Sequence, residues 1–482
     1  MTPNVLWIQS DEHRPDSLGC YGSAWAKTPN LDALAERGTL FMNALCQSPV
    51  CVPSRASQLA GRYPQELNTL FNDVCEEAMV MEGHVDPDIL PQETVMFPEW
   101  LASAGGFQTV TLGKSHIPPR RPWQSEHLVV NDERYSGYYT LNESFNEDDF
   151  HVVKRPGGAP IIIAGTYPGR MDNPSRAITD EAISWMTHAR DRNRRFLLRV
   201  SHNWPHTPVL APPPFDAIYD PEEIPVRFYD DEAYLTRSDW DRFMADSHRM
   251  WELDERLMRQ QWKDYMGLCA YVDFEVGRLL RALDDLGLMS DTVVVFSSDH
   301  GKALGEWGAG EKGFFDSEVW RVPFIWSWPG RIPEGEVRLE PCELIDTART
   351  LSGLLGMESP SVWRGRDLFS GSNEAGEAFG QIGWPEAKVP MVHAKREPHW
   401  DCMRVAIRTA RYRLDETWMA GGRRVPAEEA DGNLFDLQND PLERHNLWRT
   451  PAYATDVVSL RARIESWWNS LERPARTFGT PK

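Results

Sequence analysis

The sequence predicts an α/β chain: a large, doubly wound, mostly parallel sheet flanked by helices, then a smaller C-terminal α+β subdomain with an antiparallel sheet. Three observations predict it. Short apolar runs alternate with amphipathic helical stretches over most of the chain. Thr292-Val293-Val294-Val295-Phe296 is β-branched without polar alternation, as in a parallel strand covered on both faces. After about residue 372 the texture changes to short strands around turns, so residues 1–372 and 373–482 are expected to form two units.

The elements follow in order. Pro3 to Ile8 reads as a first strand, its apolar run Val5–Gln9 leading to Ser10-Asp11-Glu12. Thr28–Gly38 is a helix with a cap, Pro29 at its first position and a terminal glycine. In Cys51–Gly61, Pro53 sets φ, Ser54 is a good N-cap, Arg55–Leu59 can form a short helix, and Gly61 can end it. Phe97–Ala104 is helical and precedes a strand at Gln108–Leu112. Residues 117–175, rich in Pro, Gly, Tyr and charge, read as an excursion over the site. Ala177–Arg190 is amphipathic, Phe196–Val200 a strand, and Trp262–Leu286 a long helix. Thr292–Phe296 and Val322–Trp326 are further strands. Met403–Arg408 and Tyr412–Leu414 suggest antiparallel strands around a turn, and Val457–Leu471 a last helix.

Composition narrows the function. A chain of 482 residues with 41% hydrophobic and 26% charged residues is a globular chain and not a disordered one. A net charge of −21 argues against a nucleic-acid partner, and any anion site must carry its own cations. The seven cysteines (Cys20, Cys46, Cys51, Cys75, Cys269, Cys342, Cys402) are odd in number, scattered and without a CxxC pair, so neither a disulfide framework nor a zinc site is indicated. Most of the twenty tryptophans are expected in the core. No basic and apolar leader opens the chain and no apolar run is long enough to span a membrane, so a cytoplasmic location without membrane contact is expected.

The chemistry concentrates in a few places. Cys51 would sit just ahead of a helix N-terminus, where the dipole favours an anion, and Arg55 adds a fixed cation with a fork of donors. Two apolar strands end in carboxylates, at Asp11-Glu12 and at Asp299-His300. In open α/β sheets ligands gather at the carboxyl ends of strands, and hard oxygen donors there suit a divalent cation such as Ca²⁺, Mg²⁺ or Mn²⁺. Gly113-Lys114-Ser115-His116 and Asn203-Trp204-Pro205-His206-Thr207-Pro208 each follow a strand, and Lys312 lies shortly after Asp299-His300. Each lysine or histidine alone is ordinarily a solvated or structural group. For His202 a structural role is equally weighted.

The segment Cys51-Val52-Pro53-Ser54-Arg55-Ala56-Ser57-Gln58-Leu59-Ala60-Gly61 fits C-x-P-S-R-x-x-x-L-x-G in every fixed position. It resembles the signature of the type I, formylglycine-dependent sulfatases of the alkaline phosphatase superfamily. Arg62-Tyr63-Pro64, the GKxH-like Lys114/His116, the PHxP-like His206, Arg321-Val322-Pro323 and Leu434–Leu447 are similar to the family too, so the resemblance runs from residue 3 to about 450. It implies that a maturation enzyme oxidises Cys51 to formylglycine, whose hydrate attacks a small-molecule sulfate monoester and releases an alcohol and then inorganic sulfate. It further implies a metal on Asp11, Glu12, Asp299, His300 and the modified Cys51, with Ca²⁺ first and Mn²⁺ or Mg²⁺ as alternatives. No other cofactor site is implied. Glu12 stands where Asp or Gln is more usual and His300 where many members have Asn. Arg55, Lys114 and Lys312 would hold the sulfate charge, His206 or Lys312 would protonate the leaving alcohol, and His116 would be the base that frees sulfate. A phosphonate monoester or phosphodiester hydrolase of the same superfamily is the alternative, and a non-catalytic anion-binding protein a weaker one. A homo-oligomer is compatible with such a chain. Trp123, Arg120, Tyr135 and Tyr138 are candidates to shape the pocket for the alcohol, which is left open among sugar, aryl and alkyl groups.

Overall fold

The computed structural model describes residues 2–70, 72, 90–91, 93–117, 127–130 (backbone only), 150–153, 161–167, 174–224, 226–227, 230–371, 376–383 and 402–472. Its main sheet has eight strands. In spatial order they are Glu336–Arg338, Thr39–Phe41, Phe324–Ser327, Thr292–Ser298, Asn4–Ser10, Phe196–Ser201, Gln108–Gly113 and His127–Val130. Asn4–Ser10 pairs in parallel with both Phe196–Ser201 and Thr292–Ser298. Gln108–Gly113 continues the parallel run, and Phe324–Ser327 is antiparallel to both its neighbours. The three central strands are buried along their whole length, which explains why Val293–Phe296 needs no polar alternation.

Two apolar layers cover the sheet. Trp7, Val293, Val295, Trp320 and Trp326 belong to one core, and Leu6, Ile8, Val294 and Phe296 to the other, with the long helix Glu255–Asp285. That helix begins two turns earlier than Trp262 because the Asp254 carboxylate accepts the Leu257 amide at 2.8 Å, a side-chain cap. Among the described residues no helix is long and apolar enough to cross a membrane. The six described cysteines are all free thiols, and Cys75 lies outside the described residues.

Three sequence expectations are corrected. The Cys51 helix runs Cys51–Ala60 with Val50 as its cap residue, so Cys51 is inside the first turn and Ser54 is not the N-cap. Ser54 Oγ instead donates to the Asp299 carbonyl at 2.6 Å, a tertiary contact that local propensity does not encode. Val322–Trp326 is not one strand. Pro323, which has no N–H for a ladder, separates Arg321–Val322, paired with Ala44–Leu45, from Phe324–Ser327 in the main sheet. Finally, the excursion is partly layered: His127–Val130 forms the last parallel strand of the main sheet, and Phe150–Val153 pairs with Ile161–Gly165. Arg120, Trp123, Tyr135 and Tyr138 lie outside the described residues.

Beyond residue 375 an antiparallel sheet forms from Ala378–Gly383, Cys402–Arg408, Tyr412–Ala420, Arg423–Arg424 and Gly432–Asp436. Helix Ala454–Ser470 covers it with Leu460, Ile464, Trp467 and Trp468. Arg413 ties this sheet to the main body through Asp316 at 2.7 Å, and it also pairs at 2.8 Å with Glu443, which accepts the Ser317 amide at 2.8 Å, all buried. Tyr63, three residues past the Cys51 helix, packs edge-on against Trp467.

Gly113 closes its strand at φ +87°, and an added Cβ would lie 2.2 Å from the Ser201 carbonyl oxygen. The left-handed turn is what sends Lys114 out of the sheet plane towards the site, with its amide bonded to Ser201 O at 2.9 Å. Gly113→Ala is therefore expected to destabilise the chain by about 1–3 kcal/mol. A lower thermal unfolding midpoint checks it, and an unchanged midpoint contradicts it.

Candidate active site

The site is assembled at the carboxyl ends of the central strands. Asp11 and Glu12 follow Asn4–Ser10, Asp299 and His300 follow Thr292–Ser298, Lys114 and His116 follow Gln108–Gly113, and His206 follows Phe196–Ser201. The Cys51 helix points its N-terminus into this crevice. The helix dipole and the exposed first-turn amides favour negative charge there, and the Val52 amide already donates to Asn72 Oδ1 at 2.9 Å.

Cys51 Sγ lies 3.1 Å from His300 Nε2, 3.1 Å from Lys312 Nζ, 3.9 Å from Lys114 Nζ and 3.9 Å from Asp11 Oδ1. His116 hydrogen-bonds the thiol as well, from a backbone at φ +44°. Burial alone would push this thiol up, but Lys114, Lys312 and His300 hold it well below the ordinary thiol value. An anion at this position is thus stabilised by the surrounding cations.

Arg55 is fully buried and spends its donors on the protein. Nε donates to Asp299 Oδ2 at 2.7 Å, Nη2 to Asp11 Oδ2 at 2.7 Å, and Nη1 to Ser201 Oγ, the Lys114 carbonyl and Gln9 Oε1. Arg55, expected to hold the sulfate charge, here joins the two strand-end carboxylates. Lys114 Nζ reaches Asp11 Oδ2 at 2.6 Å. Burial raises the Asp11 carboxyl, and the charges of Lys114, His206 and Arg55 outweigh that and hold it below the usual range. Asp299 stays above it, because burial and Asp11 outweigh Arg55.

Carbonyls orient the two histidines. His300 Nδ1 donates to the Gly301 carbonyl at 2.8 Å, which turns Nε2 to the crevice; burial lowers this imidazole, and the charges of Asp299 and Cys51 outweigh that and raise it to about 9. His206 Nδ1 likewise donates to Thr207 O at 2.6 Å, leaving Nε2 at 3.1 Å from Lys312 Nζ. His202 is buried and its ring bonds to nothing in the described residues. Burial lowers it to about 4, so it stays neutral as a structural group.

In this crevice two groups of donors could hold a cation. Asp11, Cys51, Asp299 and His300 offer ligand atoms within 4.8 Å of one another, and Asp11, Glu12 and His206 form a second, overlapping group. Glu12, expected with the first group, is found in the second: Oε1 takes Lys312 at 2.6 Å and His206 at 3.3 Å, and Oε2 takes Lys302 at 2.7 Å. Sequence reasoning missed Lys302, Gln9 and Ser201. The signal for Lys302 was its position two residues past His300, at a strand end already assigned to the site.

Buried carboxylates, an imidazole and a cation-ringed thiol meet at the ends of parallel strands, where open α/β folds gather their ligands. The sulfatase family model matches residues 3–357, and the C-terminal model of N-sulphoglucosamine sulphohydrolase matches residues 305–469. The chain belongs to the sulfatase family, a class of sulfuric ester hydrolases. It is 27% identical to human iduronate 2-sulfatase, with 92% of this chain and 91% of the relative covered. It is 24% identical to the N-acetylglucosamine-6-O-sulfatase of Bacteroides thetaiotaomicron, with 96% and 86% covered. The phosphonate monoester hydrolase of Silicibacter pomeroyi shares the fold at a TM-score of 0.77 and 21% identity, with 98% and 96% covered.

Asp299→Asn removes a negative ligand and one partner of Arg55 together. Bound metal, measured on purified protein, and turnover are expected to fall together, each by tenfold or more on the order seen when a metal ligand's support is lost. Full metal content at normal rate would show that Asp299 is not a ligand.

Proposed function

We propose that this chain hydrolyses a sulfate monoester of a sugar through a formylglycine made from Cys51, with a divalent metal held by Asp11, Asp299, His300 and the modified residue, flanked by Glu12. The observation that carries the reading is the crowding of Lys312, Lys114, His116 and His300 around the sulfur of Cys51 at a helix start. The donor set fits a hard cation. Two carboxylates lie within reach of an imidazole nitrogen whose ring is oriented by a carbonyl, and metal binding there would displace the Nε2 proton. Ca²⁺ is favoured, with Mn²⁺ close behind because of the imidazole, and Mg²⁺ third. Such an ion supplies polarisation of the nucleophile and screening of the ester's charge. Formylglycine supplies a hydroxyl nucleophile with a second hydroxyl through which sulfate is freed, and its making requires a maturation enzyme as partner. The sugar reading draws on the two carbohydrate sulfatases among the relatives. The proposed units are residues 1–372, carrying the site, and 373–482.

The chain's own residues do the rest. Lys114 and Lys312 flank the nucleophile on two sides and meet the non-bridging sulfate oxygens, an arrangement of fixed cations around the transferring group. Arg55 keeps Asp11 and Asp299 at a set spacing. Lys312 Nζ bonds Cys51, Glu12 and His206 at once, so a proton can pass between it and His206 Nε2 beside the departing oxygen. His116, whose imidazole is kept neutral by burial, is the base next to the nucleophile. A second reading, phosphonate monoester hydrolysis, draws on His300 and the fold likeness.

A graded set of esters tests the division of labour. His206→Ala is expected to slow sugar or alkyl sulfates by about 10²-fold or more and nitrophenyl sulfate far less, since a good leaving group needs little protonation. His116→Ala is expected to slow all of them alike. Equal losses for His206→Ala across the series would move the acid role to Lys312. Faster turnover of phosphonate monoesters than of every sulfate ester would favour the second reading.

A further inference from the structure

Lys302 is 1% exposed, yet the reaction as derived gives it no part. It sits two residues past His300 and bonds two carboxylates, Glu12 through Oε2 at 2.7 Å and Glu311. Both partners have left-handed backbones, Glu12 at φ +60° and Glu311 at φ +62°, conformations that a non-glycine residue adopts only under tertiary constraint. The Glu12 backbone is pinned from two further sides. Its amide donates to Asp299 Oδ1 at 3.2 Å, and its carbonyl accepts the Tyr265 hydroxyl at 2.6 Å. Only the carboxylate orientation then remains to be set. Its other oxygen, Oε1, meets Lys312 at 2.6 Å and His206 at 3.3 Å.

We infer that Lys302 is a positioning residue: by holding Oε2 of Glu12, it limits that carboxylate to a single-oxygen grip on Lys312, so the Lys312 ammonium stays shared with the nucleophile and His206. The physical reason is competition for one ammonium group. Lys312 Nζ has three N–H donors, and Glu12, Cys51 and His206 each take one. A buried carboxylate that has lost Lys302 has one oxygen unneutralised, and the nearest cation able to serve it is Lys312. The ammonium would then be drawn off the nucleophile and His206. Lys302 touches neither substrate nor reacting atoms, and it acts through Glu12.

The inference rests on the proposed roles of Lys312 and His206 at the leaving oxygen. Its test is a charge cycle on the full-length protein: Lys302→Met, Lys302→Arg, Glu12→Gln and the double variant. The readouts are turnover of nitrophenyl sulfate and of a sugar or alkyl sulfate, bound metal and the thermal midpoint. Lys302→Met is expected to lose about 10²-fold on the poor leaving group and about tenfold less on nitrophenyl sulfate, with metal retained. Lys302→Arg should keep most of the rate. In the double variant residue 12 carries no charge to draw Lys312 away, so its rate should fall to within about threefold of Glu12→Gln alone, a strongly non-additive cycle. If Lys302→Met does not fold, the comparison of the double variant with Glu12→Gln still decides, because losses that multiply there overturn the inference. So do equal losses on both esters, or activity that falls only in proportion to metal. If the parent chain turns over no sulfate ester while it carries formylglycine and metal, the underlying reading of the site fails and takes this inference with it.

Discussion

The guanidinium of Arg55 is the joint on which the site depends. It is buried without exposure, comes from the second turn of the Cys51 helix, and binds Asp11 from one central strand and Asp299 from the next. Through Ser201 it also touches Phe196–Ser201, and through Gln9 the strand that leads to Asp11. Breaking a buried pair of this kind by deleting one partner typically costs about 3–5 kcal/mol, because the other charge is left uncompensated. The same contacts fix the distance between the nucleophile's helix and the carboxylates. Stability and site geometry are therefore set by one side chain, and neither carboxylate can move without disturbing the helix that carries Cys51.

Around that joint the charges are balanced locally, in a chain whose net charge of −21 repels anions at long range. Asp11 is matched by Arg55 and Lys114, and Glu12 by Lys312 and Lys302. The sulfur of Cys51 is met by lysines on two sides. Under the proposed function, a sulfate ester entering the crevice would exchange solvent for cations whose orientation is already fixed by carboxylates. That is the preorganisation from which electrostatic catalysis draws its advantage. The positive φ values of Glu12, His116 and Glu311 cluster at the same crevice, which places backbone strain where side chains must converge from different strands.

Much of this was legible in the sequence. Thr292–Phe296 announced a central strand because burial on both faces removes the polar alternation, and the convergence of the carboxylates after it with those after Asn4–Ser10 was legible because strand ends in such sheets meet. The Cys51 segment was legible because its residue types are chemically restrictive. What was hidden depended on contacts made across the fold. Ser54 reads as a cap, but its hydroxyl is taken by the Asp299 carbonyl. Lys302 reads as a surface lysine, and only the convergence of two strand ends buries it between Glu12 and Glu311. Arg55 reads as an anion receptor, and only the register of the central strands shows that it also joins Asp11 to Asp299. The split of Val322–Trp326 turns on Pro323, a local signal that the apolar character of the flanking residues outweighed.

The central claim is that the charge cluster around Cys51 serves a formylglycine nucleophile in sulfate ester hydrolysis. Peptide mass spectrometry of the Cys51 segment tests it most directly, on protein made with graded amounts of a formylglycine-generating enzyme and paired with sulfate-ester turnover on each sample. The account predicts a Cys51 peptide carrying the aldehyde, and a turnover that rises in proportion to the fraction converted. Full activity from protein whose Cys51 is wholly thiol would contradict it.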